Sequence, residues 1–125
     1  MTIRKSAEDY LEAMLMLRNE HGYIRSVDIA KKLGVTKPSV SYAVKQLREE
    51  NYVKADENGM LFLLPAGEEI AQRIYERHLV LTDLFIRMGV DPAIAREDAC
   101  LVEHDLSIET FEAIKKFAAG QTKLK

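Results

Sequence analysis

Apolar residues recur along most of this chain at the three- and four-residue spacing of a helix face, interrupted once by a short strand-like stretch. Leu11, Met14, Leu15 and Leu17 supply the first face. Ser6, just ahead of Ala7-Glu8-Asp9, is the expected N-cap of that helix, and His21-Gly22 its expected end. A second helix is expected after Arg25-Ser26, carrying Ile29, Ala30 and Leu33. Gly34 ends it, because glycine takes the left-handed conformation that helix C-termini use. Thr36 is the expected cap of a third helix, with Pro38 in the first turn, where a missing N–H costs nothing. Val40, Val44 and Leu47 form its buried stripe. Tyr52–Lys54 and Met60–Leu63 are strand-like, and Asp56-Glu57-Asn58-Gly59 between them predicts a hairpin turn. Pro65 opens a long helix to about Met88, closed by Gly89. Asp91-Pro92 starts another, which should contain Cys100 to His104. Ser107 caps a last helix with Phe111, Ile114 and Phe117, and a polar, loose tail is expected after Gly120.

Composition narrows the class. The 125 residues fit one domain or two small ones sharing a core, and an apolar fraction of 47% argues against extended disorder. The net charge of -2 does not announce a nucleic-acid binder, and the distribution of charge matters more than its sum. From Ile29 to Arg48 the charged residues are Lys31, Lys32, Lys37, Lys45 and Arg48, with no acid among them. The single cysteine excludes an intramolecular disulfide. No signal peptide is visible, and no apolar run approaches the roughly 20 residues that span a bilayer. A cytoplasmic location is the expectation.

Helix, glycine-containing turn, helix and hairpin in this order predict a winged helix-turn-helix. In such a unit the second helix enters the major groove N-terminal end first, which here is Thr36-Lys37-Pro38-Ser39. Tyr42 and Lys45 project away from the Val40/Val44/Leu47 stripe. Ser39 and Ser41 can hydrogen-bond phosphates, and Thr36, Pro38 and Tyr42 are placed for base edges or thymine methyls. The plainer reading is a three-helix domain with a solvated basic face, or a winged helix that binds protein.

Cys100, Glu103 and His104 stand at i, i+3 and i+4, so a helix would put a thiolate, a carboxylate and an imidazole on one face, where they can converge on a divalent cation. Asp9 and Glu12 form a second pair at i and i+3, and His78 lies on the long helix. Taken singly, each has a plain structural role: Asp9 as part of a capping box, Glu12 as an exposed helix charge, Cys100 as a small buried hydrophobe, His78 as a surface or core polar group.

The chain resembles the iron-dependent repressor family, which includes the diphtheria toxin repressor and the manganese transport regulator. The likeness covers about residues 5 to 118. It rests on Glu8-Asp9-Tyr10-Leu11-Glu12, Asp28-Ile29-Ala30-Lys31-Lys32-Leu33, Pro38-Ser39-Val40-Ser41, Arg77-His78 and Cys100-Leu101-Val102-Glu103-His104-Asp105-Leu106-Ser107. The resemblance implies a mainly α protein. Residues 1–68 would be a winged helix-turn-helix DNA-binding domain, and residues 69–125 an all-α metal-binding and dimerisation domain. A C-terminal SH3-like domain, which longer members carry, is not expected. The resemblance further implies a homodimeric repressor of metal homeostasis, activated by Fe²⁺ or Mn²⁺ on a palindromic operator in double-stranded DNA. Its implied metal ligands are Asp9, Glu12, His78, Cys100, Glu103 and His104. Asp9 and Glu12 match the manganese branch and Cys100 the iron branch. Thr82 and Arg96 stand where the iron branch has ancillary ligands, so that site is expected to be absent or replaced by a second ion sharing Glu12 and Glu103. Oxygen donors suit Mn²⁺ and a thiolate favours Fe²⁺, Co²⁺ or Zn²⁺, which tilts the expectation toward Fe²⁺. The alternative is a winged-helix regulator switched by Cys100 oxidation or an organic ligand. A hydrolytic enzyme is not expected, because Glu103 would have to be both ligand and base.

Overall fold

Several helix ends are set by the residues that the sequence marks, and three are not: the start of α1 and the ends of α5 and α6. A computed structural model describes residues 5–123. Helix α1 spans Lys5–His21, so Ser6 lies inside the helix and is not its cap. No glycine or proline stops the helix at Ser6, and the capping position falls outside the described residues. Helix α2 (Ser26–Leu33) ends at Gly34, whose φ of 68° is left-handed, as a helix C-terminus of this type requires. Helix α3 (Lys37–Glu49) begins as expected: Thr36 Oγ1 accepts a hydrogen bond from Ser39 N at 3.2 Å, and proline sits in the first turn.

The chain then turns through Asn51, which adopts a left-handed φ of 64°, as asparagine does more readily than most residues. Strands β1 (Val53–Ala55) and β2 (Leu61–Leu63) pair antiparallel, with Val53 opposite Leu63, Lys54 opposite Phe62 and Ala55 opposite Leu61. Tyr52 and Met60 stay outside the ladder. Tyr52 N donates to Leu47 O instead, at 2.9 Å, and Tyr52 O accepts from Leu64 N. In the turn, Asp56 Oδ1 accepts from Asn58 N and Met60 N, both at 2.9 Å. Ile24 adds an antiparallel bridge to Leu61, which covers that edge of the hairpin.

Helix α4 spans Pro65–Arg87, α5 Pro92–Val102 and α6 Ile108–Lys123. The chain divides into two compact units after Arg73, so α4 contributes to both. In the first unit Leu11, Met14 and Leu15 of α1, Ile29 of α2, and Val40 and Leu47 of α3 are no more than 1% exposed. The α4 segment of this unit is held by charge. Arg18 donates two hydrogen bonds to Glu68, at 2.5 and 2.7 Å, which lower the Glu68 carboxyl to a pKa of about 2.

In the second unit Ile74, Leu81, Ala95, Ala99 and Phe111 are buried. Asp91 caps α5 through Ala93 N, and Ser107 caps α6 through Thr110 N. Helix α6 continues through Gly120 to Lys123, where a loose tail was expected; residues 124–125 lie outside the described residues. Phe117 is exposed because it lies about 120° around the helix from buried Phe111, whereas Ala118 shares the inner face. Ile94, Leu101, Ile108 and Phe117 of this unit are all more than half exposed. Among the described residues no helix is long and apolar enough to cross a membrane.

Candidate metal centre and nucleic-acid interface

Three of the six expected ligands converge within the second unit. His78, buried on α4, presents Nδ1 3.0 Å from Glu103 Oε1. Cys100 lies in the last turn of α5, three residues before Glu103, so thiol and carboxylate leave the same side of the chain. One donor atom from each of His78, Cys100 and Glu103 lies within 4.8 Å of the other two. Metal–ligand bonds of about 2.0–2.3 Å place ligand atoms roughly 3–4 Å apart around an ion, so small side-chain adjustments would close this set. Glu103 is fully buried. A buried carboxylate is costly unless neutralised, and an imidazole, a thiolate and a carboxylate suit a divalent transition ion. The donors therefore fit such an ion.

His104 corrects the expectation that the cluster shares one helix. Helix α5 ends at Val102, with Glu103 at the C-cap and His104 in the following turn. Asp105 N bonds to Val102 O at 3.0 Å, which tightens the chain out of the helical repeat. His104 Nε2 remains 3.4 Å from Glu103 Oε2, and its side chain is almost fully enclosed. In the first unit, Asp9 and Glu12 share one face of α1, with carboxylate oxygens within 4.8 Å of one another. Glu12 is 4% exposed, which rules out the solvated-charge reading, and the capping-box reading of Asp9 falls with Ser6.

The side chains expected to read DNA lie on the outer face of α3. Lys37, Pro38, Ser39, Ser41, Tyr42 and Lys45 are all exposed, Tyr42 at 65%, while Val40, Val44 and Leu47 point inward. Thr36 is engaged as the cap, and its hydroxyl also donates to Ser39 Oγ. Tyr42 Oη accepts from Gln46 Nε2 at 3.0 Å, which adds Gln46 to this face; nothing in the apolar pattern singled it out. Arg77, which sequence reasoning did not single out as a functional residue, is buried on α4 next to His78. Its one signal in the sequence is that position, immediately before a candidate ligand.

Residues 2–60 match the iron dependent repressor N-terminal DNA binding domain, and residues 64–121 match the iron dependent repressor metal binding and dimerisation domain. The chain belongs to the iron-dependent repressor family. The transcriptional regulator MntR of Salmonella typhimurium is 38% identical over 114 residues, covering 91% of this chain and 73% of that protein. The HTH-type transcriptional regulator MntR of Bacillus pumilus is 36% identical over 109 residues, covering 87% and 76%. Among solved structures, T. acidophilum IdeR superposes with a TM-score of 0.79 at 26% identity, over 93% of this chain and 54% of that one. The manganese regulator SloR gives 0.76 at 31%, over 94% and 54%. The chain thus spans about three-quarters of these curated relatives and about half of these solved chains. It carries the two domains of a metal-dependent transcriptional repressor of this family: a winged helix-turn-helix, and a helical domain for metal binding and dimerisation.

Proposed function

We propose that this chain acts in the cytoplasm as a homodimeric repressor of metal-homeostasis genes, activated by Fe²⁺, with Mn²⁺ as the competing activator. The observation that carries the reading is the convergence of His78, Cys100 and Glu103. These three would hold the ion, with Asp9, Glu12 and His104 completing the ligand set. A bound divalent ion supplies the positive charge that lets several carboxylates share a small volume. Cys100 is the argument for iron; the likeness to the manganese regulator SloR is the argument for manganese. No catalytic step belongs to this reading.

Coupling to DNA runs through α1, which carries Asp9 and Glu12 on one side and packs Leu11, Met14 and Leu15 into the core under α2 and α3. Tying α1 would set the separation of two recognition helices in the dimer, matched to half-sites one or more turns apart in a palindrome. The side chains of Thr36, Lys37, Pro38, Ser39, Ser41, Tyr42 and Lys45 would then meet DNA. Such coupling is typically worth about 1–3 kcal/mol. The exposure of Cys100 supports one second reading, a switch by thiol oxidation.

The test is anaerobic selection of binding sites from a random duplex pool at fixed salt, with chelator, Fe²⁺ or Mn²⁺. A palindrome enriched only with metal is the expected result, at a lower concentration of Fe²⁺ than of Mn²⁺. Enrichment in chelator would remove the metal switch and favour Cys100 oxidation. No enrichment under any condition would refute the DNA reading.

A further inference from the structure

We propose that Arg77 is a positioning residue of the metal centre, which sets the geometry of Glu103 and His104 by holding the turn that carries them. The proposal rests on the metal-site reading above and concerns a side chain that reading does not use.

Arg77 is 5% exposed on α4. Its Nη1 donates to Glu103 O at 3.0 Å and to Leu106 O at 2.7 Å, and its guanidinium lies 5.2 Å from the centre of the Phe111 ring. These contacts lie where α5 ends and α6 begins. The last carbonyls of a helix have no partner within it, and a cation near them is favoured by the helix dipole. Arg77 therefore caps the end of α5 from a neighbouring helix. By also taking the carbonyl of Leu106, just ahead of the α6 cap Ser107, it spans the whole turn.

The geometry has a consequence for Glu103. Consecutive residues of one helix grip it at two levels: Arg77 holds its main-chain oxygen and His78 faces its carboxylate. A carboxylate held only at its tip could change rotamer, whereas one whose backbone is also fixed has its direction set. The same clamp determines where the chain leaves the α5 axis, and so where His104 points. The Phe111 ring under the guanidinium restrains its position, which helps the two donated bonds keep their directions. Both bonds leave one nitrogen, so lysine could supply the charge and the donors but not the rigid plane that holds their directions.

Groups behind the ligands of a metal site typically change affinity by about 10–100-fold when removed. The test uses the full chain, prepared metal-free and titrated anaerobically with Co²⁺, whose thiolate charge-transfer band reports Cys100 and whose visible bands report geometry. Wild type, Arg77→Lys and Cys100→Ser are compared, with circular dichroism and urea unfolding of the metal-free proteins alongside. The expected result for Arg77→Lys is wild-type helix content, Co²⁺ affinity lower by about 10–100-fold, and visible bands displaced from those of wild type. A purely structural role would lower the urea midpoint and leave the bound-ion spectrum unchanged, and that outcome overturns the proposal while the site reading stands. A wild-type chain with no thiolate band, indistinguishable from Cys100→Ser, would overturn the site reading and the proposal with it. If Arg77→Lys does not fold, Phe111→Leu, which frees the guanidinium plane but keeps its donors, takes the same test with the same expected displacement.

Discussion

Replacing Gly67 with alanine separates helix propensity from packing, because the two predict opposite signs. Gly67 lies in the first turn of α4, where alanine would ordinarily stabilise by up to about 0.5–1 kcal/mol. A Cβ built there would stand 3.0 Å from Tyr52 C and 3.2 Å from its Cα, and closer still to the carbonyl oxygen. The obstruction is main chain, which cannot rotate aside, so α4 must move away from the hairpin. Overpacking of this kind costs about 1–3 kcal/mol. The movement also stretches the 2.9 Å bond from Leu64 N to Tyr52 O, worth about 1 kcal/mol. The net expectation for Gly67→Ala is a loss of about 1–3 kcal/mol. With a urea slope of about 1–3 kcal/mol per molar, the midpoint should fall by roughly 1 M. A midpoint equal to or above wild type would refute the close approach of α4 to the hairpin, and with it the placement of the wing.

Two further outcomes follow from charge. Arg18 holds Glu68 at a pKa of about 2 against an ordinary 4.5, so its stabilisation is present above about pH 4.5 and is lost as pH falls toward 2. Arg18→Met should therefore be less stable than wild type at pH 7, with the difference shrinking over that window; a gap independent of pH would exclude the ion pair as its cause. Both side chains are about a third exposed, which keeps the expected gap to roughly 1 kcal/mol or less. Lys45→Ala should make log affinity fall less steeply with log salt, by about 0.9 for each phosphate that Lys45 neutralises, without changing the selected sequence. An unchanged slope would place Lys45 off the DNA.

Much of the fold was legible because local chemistry decides it. Thr36, Asp91 and Ser107 cap their helices through bonds to backbone N–H groups two or three residues on, and Gly34 ends α2 by its own φ. Such signals are read within one turn of chain. The missed details involve competition with remote partners: Tyr52 leaves the ladder because Leu47 and Leu64 take its backbone groups, and Ile24 joins the sheet from outside the hairpin.

The sequence by itself determined the donor types, the outward and inward faces of α3 and most of the buried positions, since these follow from residue chemistry and helical period. Only the tertiary structure decided that Cys100 and Glu103 meet His78 across 22 and 25 positions of chain, and that His104 leaves the helix its neighbours occupy. It also decided that a buried arginine holds the turn between α5 and α6. The reason is physical: spacing along a helix orders side chains around one axis, but which axis lies opposite is set by packing of the whole chain, and the end of α5 is set by a guanidinium from α4.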